Sequence, residues 1–352
     1  MIDLVPAKGS SLGPIAVEKF TSGVKTPVTL RTIAEMAGVH PSTVSRALRS
    51  DAAPNETNRR IAQLADALEY RPDVAAASLR TRRSDAVGVL VHRLTDVVQA
   101  ILFEAIESTL TEHGYQAIVA NTYDDPGEQR RRVELLQSRR VDGLILADAH
   151  LDARYVDWVA SRGIPFVLVN RHAGGYPAVT LDDYEGGRLV GNHLSDLGHR
   201  QVAILRGIEH SSASSERVRG CLDALAARGI AVPPDAIEAT TLSASTGRDA
   251  VHRVLERHPG VSAVFAVNDF DALGAMIGLR ELGREPGIDV AVVGFNDVPV
   301  AEAARLTTVR SPHNVMGAAA TTMLLDVMQG KTVESVRLAP ELIVRATSCP
   351  PA

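Results

Sequence analysis

The 352-residue chain has few of the residue types that build cross-links, metal cages or membrane spans. Its two cysteines, Cys221 and Cys349, exclude a disulfide scaffold and a four-cysteine zinc site. No apolar run is long enough to cross a bilayer. The mixed acidic, basic and Gly/Ser N-terminus is not typical of a secretory signal. We therefore expect a globular protein of the reducing cytoplasm.

The formal net charge of −5 is unevenly distributed. Residues 1–86 carry 12 Lys and Arg against 9 Asp and Glu, which leaves +3 for this part and −8 for the remainder. A mildly basic head on an acidic body fits a polyanionic partner for the head. So small an imbalance also arises by chance, and charge alone leaves both interpretations open.

The chain divides by pattern into five parts. Residues 1–27 mix Gly, Ser, Pro and Lys without periodicity, which predicts a disordered leader. A helical pattern covers 28–70, a Pro-started, Ala-rich and then Arg-rich linker covers 71–86, and a long α/β body covers 87–348. A tail follows at 349–352.

The body alternates short β-branched runs with amphipathic helical stretches. Near-continuous apolar strands separated by helices are typical of a parallel sheet covered on both faces. Seven such runs exceed one small sheet, and they predict two doubly wound lobes with a ligand cleft at the carboxyl ends of the strands. The runs begin at Val87, Ala117, Gly143, Phe166, Val202, Ala263 and Val290.

The head has the pattern of a helix-turn-helix. One helical face carries Leu30, Ile33, Ala34 and Ala37. Gly38 then supplies the backbone freedom of a tight turn, and Pro41 suits the first position of a second helix. The buried stripe of that helix is Val44, Ala47 and Leu48.

The opposite face of the second helix carries short hydroxyls and one long donor, which are Ser42, Thr43, Ser45 and Arg46. Hydroxyls can approach phosphates or base edges, and an arginine one turn on can reach guanine with two hydrogen bonds. A third helix begins at Asn55 and buries Ile61, Leu64, Ala65 and Leu68. The pattern favours DNA binding over a small helical bundle without a DNA role.

Several motifs in order resemble the lactose-repressor/galactose-repressor family of transcriptional regulators. The resemblance covers about residues 28–348, and the motifs are specific jointly rather than singly. They are Ile33-Ala34-Glu35-Met36-Ala37-Gly38-Val39, Thr43-Val44-Ser45-Arg46, Tyr70-Arg71-Pro72, Leu197-Gly198-His199-Arg200, Arg217-Val218-Arg219-Gly220, Asn268-Asp269-Phe270-Asp271-Ala272-Leu273-Gly274 and Leu306-Thr307-Thr308-Val309.

The resemblance implies an all-α head on a periplasmic-binding-protein-like α/β body, and a repressor that acts as a dimer on a pseudo-palindromic operator in double-stranded DNA. The first lobe would cover 87–186 and 311–330, and the second 187–310 and 331–348. Pro41, Ser42 and Arg46 would read bases. The further DNA-contacting positions would be Thr29, His40, Thr43, Ser45 and Asn55.

His40 stands at the N-cap, where serine is usual and is the better local choice. Either it reaches a phosphate or it is merely exposed, and the sequence leaves both open.

The linker holds a segment of about two helical turns after Pro72, which is too short to be stable alone. By resemblance, Ala76 and Leu79 would wedge into the minor groove, while Arg80, Arg82 and Arg83 would contact phosphates. The alternative is a plain flexible tether.

The resemblance also assigns an effector site to the body. Arg217 would donate a bidentate fork to ligand hydroxyls or a carboxylate. Asn170 and Asn296 stand where relatives often carry Asp, and Asp183 would belong to the lobe hinge. The expected effector-binding residues are His92, Arg93, Gln99, Asn170, Arg217, Leu242, Asn268, Phe270 and Asn296.

Two features suggest what the effector is. Few aromatic residues flank the expected cleft, and Arg217, Arg171, His92 and Arg93 make its mouth cationic. We therefore hypothesise a sugar acid or sugar phosphate, and keep a neutral monosaccharide as the alternative.

Enzyme chemistry has little support in the sequence. It contains no G-x-S-x-G elbow, no G-x-G-x-x-G after a strand and no P-loop, and its histidines show no metal-ligand spacing. We expect no cofactor and no metal. The first alternative is an effector-activated or co-repressor-dependent regulator of a non-sugar pathway, and the distant alternatives are a solute-binding protein and an α/β enzyme. The sequence does not decide whether the effector is an inducer or a co-repressor.

Overall fold

The computed structural model describes residues 28–48, 55–68, 70 and 83–351, which belong to two compact units, 1–81 and 82–352. In the described part of the first unit, three helices pack on one small core: α1 (Leu30–Ala37), α2 (Pro41–Ala47) and α3 (Glu56–Ala67). Gly38 ends α1 in the left-handed region at φ 66°, which a side chain rarely adopts. The core consists of Ile33, Ala34, Ala37, Val44, Ala47, Ile61 and Ala65.

The second unit contains two six-stranded sheets. The first has the order β11-β5-β4-β3-β1-β2 and the second the order β12-β10-β9-β8-β6-β7. Every strand pair is parallel except β10 with β12. The strands are β1 (Ala86–Val91), β2 (Gln116–Asn121), β3 (Gly143–Leu146), β4 (Phe166–Val169), β5 (Ala178–Leu181), β6 (Val202–Leu205), β7 (Ile237–Glu238), β8 (Ala263–Ala266), β9 (Ala291–Asn296), β10 (Thr307–Arg310), β11 (Val336–Leu338) and β12 (Glu341–Ile343).

Helices cover these sheets, so the central strands β1, β3, β4, β8 and β9 are fully buried. Among the residues described, no helix combines the length and apolarity that a membrane crossing needs. The body helices are α4 (Val97–Glu112), α5 (Pro126–Ser138), α6 (Arg154–Ser161), α7 (Asp183–Asp196), α8 (Ser212–Ala226), α9 (Ala244–Arg257), α10 (Asp269–Glu281), α11 (Pro299–Ala303) and α12 (His313–Met328).

The predicted fold class, a helical head with two doubly wound lobes, is confirmed. The expected lobe boundary needs one correction, because the sequence prediction puts all of 331–348 in the second lobe. The structure divides this segment: β11 pairs with β5 in the first sheet, and β12 pairs with β10 in the second. The chain therefore passes between the lobes three times, after β5, after β10 and after β11.

Helices α7 and α8 cross at backbone contact, because a glycine on each helix faces the other. A Cβ at Gly187 would lie 2.0 Å from the carbonyl oxygen of Arg217, and one at Gly220 would lie 2.0 Å from that of Tyr184. This crossing sets the start of α7 against the middle of α8, and so positions Asp183 beside Arg217.

We expect Gly220→Ala to destabilise the body by at least about 3 kcal/mol, since the added methyl forces the two backbones apart. Denaturant unfolding of the full chain measures this. Gly175→Ala is the matched control, because a Cβ there meets no atom within 4 Å and its φ is not positive. The control should change the unfolding free energy by less than about 0.5 kcal/mol. Equal losses in the two variants would contradict the close crossing.

Candidate nucleic-acid interface and ligand cleft

Helix α2 presents a polar face and buries the other. Val44 and Ala47 are buried in the head core, whereas Pro41, Ser42 and Arg46 are exposed and Thr43 and Ser45 are half-buried. Within the residues that the structure describes, Arg46 makes no hydrogen bond or ion pair. Its guanidinium donors are therefore available to an external acceptor.

Three of the expected DNA-contacting residues are helix caps. The side chains of Thr29, His40 and Asn55 accept hydrogen bonds from the backbone N–H groups of Thr32, Ser42 and Asn58 at 3.3, 3.3 and 2.7 Å.

His40 has a structural role that the sequence analysis did not assign to it, as the cap of α2. Its Nδ1 accepts from the Ser42 N–H and lies 2.8 Å from the Ser42 hydroxyl. In a neutral imidazole, Nε2 must then carry the proton. His40 is exposed, so it can cap α2 and still donate from Nε2 to a phosphate.

The expected wedge residues Ala76 and Leu79 lie outside the described residues, as do Arg80 and Arg82. Their assignment to the minor groove and its phosphates stays a prediction.

A cleft opens at the carboxyl ends of the strands in both lobes. A large cavity of about 700 Å³ continues into a small one of about 30 Å³, and both are lined by His92, Asp96 and Leu242. Eight of the nine expected effector residues line them, which are His92, Arg93, Asn170, Arg217, Leu242, Asn268, Phe270 and Asn296. Most of these residues follow the carboxyl end of a strand, which is where open α/β sheets bind their ligands.

Gln99 is the exception and corrects the expectation. It lies on α4, is fully buried and is not part of either cavity wall. In the described part of the chain, neither atom of its side-chain amide has a partner. The pattern indicated a residue near the cleft, but the helix turns this side chain into the lobe.

Arg217 is held by the protein rather than free in the cleft. Its Nε donates to Asp183 at 2.7 Å, one terminal nitrogen donates to the Val267 carbonyl at 2.8 Å, and the guanidinium lies 3.8 Å from the Phe295 ring centroid. The side chain is only 7% exposed. Burial raises the pKa of the Asp183 carboxyl, and the Arg217 guanidinium opposes that shift. The guanidinium edge that remains is what a ligand can use.

The other cations at the mouth are mostly paired as well. Arg171 is 2% exposed and donates to both oxygens of Asp124, at 2.7 and 3.1 Å. His92 Nε2 lies 3.0 Å from Asp96, and Arg206 lies 3.3 Å from Glu209. Arg93 is exposed beside the Tyr123 ring. Among the described residues, Arg217, Arg171 and Arg206 each have a carboxylate partner whereas Arg93 does not, so most of the positive charge expected at the mouth is balanced.

Two polar contacts hold the second-lobe wall of the cavity in place. Asp271 on α10 accepts from the Thr240 hydroxyl at 2.7 Å and from the Ser243 N–H at 3.1 Å, and so fixes the loop that carries Leu242. Burial raises the pKa of Asp271 to about 7 although these bonds oppose the shift. Asn268 caps α10, where its Oδ1 accepts from the Phe270 N–H at 2.6 Å.

The two asparagines expected to replace acidic residues line the small cavity. Asn170 and Asn296 both have positive φ, 65° and 110°. The Asn296 Oδ1 is buried and has no partner within the part of the chain described, so it is an acceptor that a ligand hydroxyl could satisfy.

Sequence reasoning missed Tyr123, which follows β2 and lines the large cavity with 54% of its surface exposed. Its position after a strand was the available signal. With Phe270 it supplies apolar ring surface to a cleft that the composition had suggested was poor in it.

Two family models together match nearly the whole chain. One is described as "Bacterial regulatory proteins, lacI family" and matches residues 29–73. The other is described as "Periplasmic binding proteins and sugar binding domain of LacI family" and matches residues 84–345.

Curated relatives are similar over most of their length. The HTH-type transcriptional regulator CelR of Thermobifida fusca is 34% identical over 331 residues, which are 90% of this chain and 97% of CelR. The HTH-type transcriptional regulator GalS of Salmonella typhimurium is 32% identical over 304 residues, 85% of this chain and 89% of GalS.

A solved structure of a Lac repressor dimer bound to operator and the anti-inducer ONPF has a TM-score of 0.84 at 28% identity, and covers 92% of this chain and 100% of that one. A CelR–cellobiose complex has a TM-score of 0.70 at 31% identity, with 91% and 99% coverage.

We expect Arg217→Ala to cost about 3–5 kcal/mol of body stability, because it leaves Asp183 as a buried carboxylate without its counter-ion. In that variant the unfolded state ionises Asp183 near its ordinary pKa of 3.8 while the folded state resists, so the loss should grow as pH rises above about 4. Unfolding at several pH values measures this. The double variant Arg217→Ala/Asp183→Asn should lose the pH dependence; if it does not, the pairing is not the cause.

We expect His40→Ala to raise amide hydrogen exchange in the first turn of α2 about fivefold, which corresponds to a lost cap of about 1 kcal/mol. His40→Ser restores a capping oxygen and should leave the exchange near the wild-type rate. The same protection in all three proteins would show that His40 does not stabilise the helix.

Proposed function

The chain belongs to the LacI family of bacterial regulatory proteins, and on this premise we propose that it represses transcription from an operator whose occupancy is set by a neutral saccharide in the interlobe cleft. It is a transcriptional regulator and not an enzyme. The observation that carries the effector class is the charge balance of the cleft. Operator binding is supported by Arg46 of the head, which has no internal partner among the described residues.

The head supports operator binding through α2. Arg46, Ser42 and Pro41 project from the exposed face, and the small core behind them fixes the helix. One such helix reads only a half-site, so we propose a dimer on a pseudo-palindrome. The Lac repressor structure, a dimer on its operator, supports this assembly. We place the protein in the cytoplasm, where bacterial DNA is found.

The cleft supports a neutral effector. The two buried arginines of the cleft, Arg171 and Arg217, both have carboxylate partners at 2.7 Å, so their charge is already balanced without an anionic ligand. A neutral polyol instead needs donors and acceptors in fixed positions and some ring surface. Asn296, the free edge of Arg217, Tyr123 and Phe270 offer these.

The size of the cleft agrees with this ligand class. A volume of about 700 Å³ lies within the usual range of small-ligand sites. The CelR structure with cellobiose is a relative with a neutral disaccharide.

The cleft can control the head because both lobes supply its walls. A ligand that binds one arrangement of the lobes more tightly shifts the population toward that arrangement. If the two arrangements have different affinities for the operator, the ligand then changes operator occupancy. The same linkage allows release or tighter binding, and the expected wedge at 71–86 would be the element that responds.

Operator binding is tested by selecting genomic fragments with the purified full-length protein. We expect a pseudo-palindrome in the bound set. Arg46→Ala should cost about 1–3 kcal/mol at one base position, whereas Arg248→Ala, which removes an exposed body arginine paired with Glu281, should change nothing. Failure to enrich any duplex over random competitor would overturn the regulatory function.

The effector class is tested by thermal shift with matched pairs, such as glucose with glucuronate and cellobiose with cellobionate. Neutral members should raise the melting temperature more than their acids. Stronger stabilisation by the acids would reject the neutral class and restore the anionic hypothesis, with operator binding left intact.

A further inference from the structure

A second ligand set lies at the rim of the cleft, where three side chains from separate loops converge. Asp124 follows β2, His150 follows β3, and His210 precedes α8. One potential ligand atom from each lies within 4.8 Å of the other two. Asp124 and His150 belong to the first lobe and His210 to the second, so the cluster spans the cleft.

The distances between the histidine nitrogens and the Asp124 oxygens are closer to those around a shared metal ion than to those of hydrogen bonds. The Nε2 atoms of His150 and His210 each lie 3.7 Å from an oxygen of Asp124. That is too long for a hydrogen bond, and within the part of the chain described both nitrogens are buried without a partner. In a tetrahedral zinc site with bonds of about 2.0–2.2 Å, neighbouring ligand atoms are about 3.3 Å apart. The two nitrogen–oxygen distances are therefore a few tenths of an ångström longer than those around a bound ion.

We propose that Asp124, His150 and His210 bind one divalent ion of the zinc class across the two lobes. Two imidazoles and a carboxylate are ligands that such ions take readily, and three protein ligands leave a coordination position open. Asp124 and His210 also line the large cavity, so the open position lies at its edge.

Arg171 does not block the carboxylate. It takes one lone pair from each Asp124 oxygen, and a carboxylate has about four acceptor positions. It holds the carboxylate in place, as outer hydrogen bonds commonly do for metal ligands. The positive charge of Arg171 lowers the affinity of the site for any cation. An ion that binds nitrogen ligands strongly, such as Zn²⁺, is therefore favoured over Mg²⁺.

Binding requires a modest movement of His210. The two imidazole rings are tilted by 35° with centroids 3.9 Å apart, and the rings of two histidines bound to one ion must stand farther apart. His210 is 41% exposed on a loop, whereas His150 is 12% exposed. We therefore expect the loop of the second lobe to adjust.

The experiment uses untagged full-length protein stripped with a chelator. Co²⁺ is titrated as the probe, because its visible absorption reports coordination by nitrogen and oxygen. We expect one Co²⁺ per chain, displacement by Zn²⁺, and no competition from Mg²⁺. Absence of Co²⁺ uptake by the wild-type protein would overturn the site without regard to any variant, and independently of operator or saccharide binding.

His210→Asn and His150→Asn should each weaken Co²⁺ binding at least about tenfold. The matched control is His172→Asn, because His172 pairs with Glu216 across the same cleft but lies outside the cluster. Circular dichroism establishes that each variant is folded. The substitution at His210, whose side chain is less buried than that of His150, is the less disruptive of the two. Equal affinity in His210→Asn and His172→Asn would place the bound ion elsewhere and reject the proposal.

Discussion

The buried ion pair of Asp183 and Arg217 is the interaction on which the architecture of the cleft depends. Asp183 begins α7, Arg217 lies in α8, and the same guanidinium contacts the Val267 carbonyl and the Phe295 ring of the second sheet. A buried pair is stable only when its geometry is good. The glycine crossing at Gly187 and Gly220 supplies that geometry, since larger residues would hold the helices apart. Packing and electrostatics therefore depend on each other here.

Desolvation also explains why most of the positive charge expected at the mouth is balanced by carboxylates. The sequence shows how many arginines stand near strand ends, but not which carboxylates meet them. Arg217 and Asp183 are 34 positions apart, and Arg171 and Asp124 are 47 apart. A buried charge must find such a partner or lose its charge. The cluster of Asp124, His150 and His210 escaped notice for the same reason, because its spacing matches no short metal motif.

The segments of the fold that could be predicted are those with a strong local hydrophobic pattern. The glycine turn and apolar stripe gave the head, and β-branched runs gave buried central strands such as β3 and β4. Five strands were missed. Three of them are short or peripheral: β7 has two residues, and β11 and β12 are mostly exposed or half-buried edge strands. The other two, β5 and β10, have four residues each and are buried by tertiary contacts, and both contain threonine. For the site, the family resemblance indicated eight residues that line the cavities, whereas the burial of Gln99 depends on helix packing that no local pattern shows.

The contacts between the lobes indicate how closure can respond to a small molecule. Near the rim, the Leu151 N–H donates to the His210 carbonyl at 3.0 Å, the His172 N–H donates to the Ser212 hydroxyl at 2.9 Å, and His172 Nε2 lies 3.1 Å from Glu216. Such bonds contribute about 1 kcal/mol each because water competes for them. Their sum is a few kcal/mol, the usual gap between two states that a ligand can reverse. Because each of these rim contacts is weak, a bound ligand that adds or removes a few comparable contacts can shift the balance between lobe arrangements.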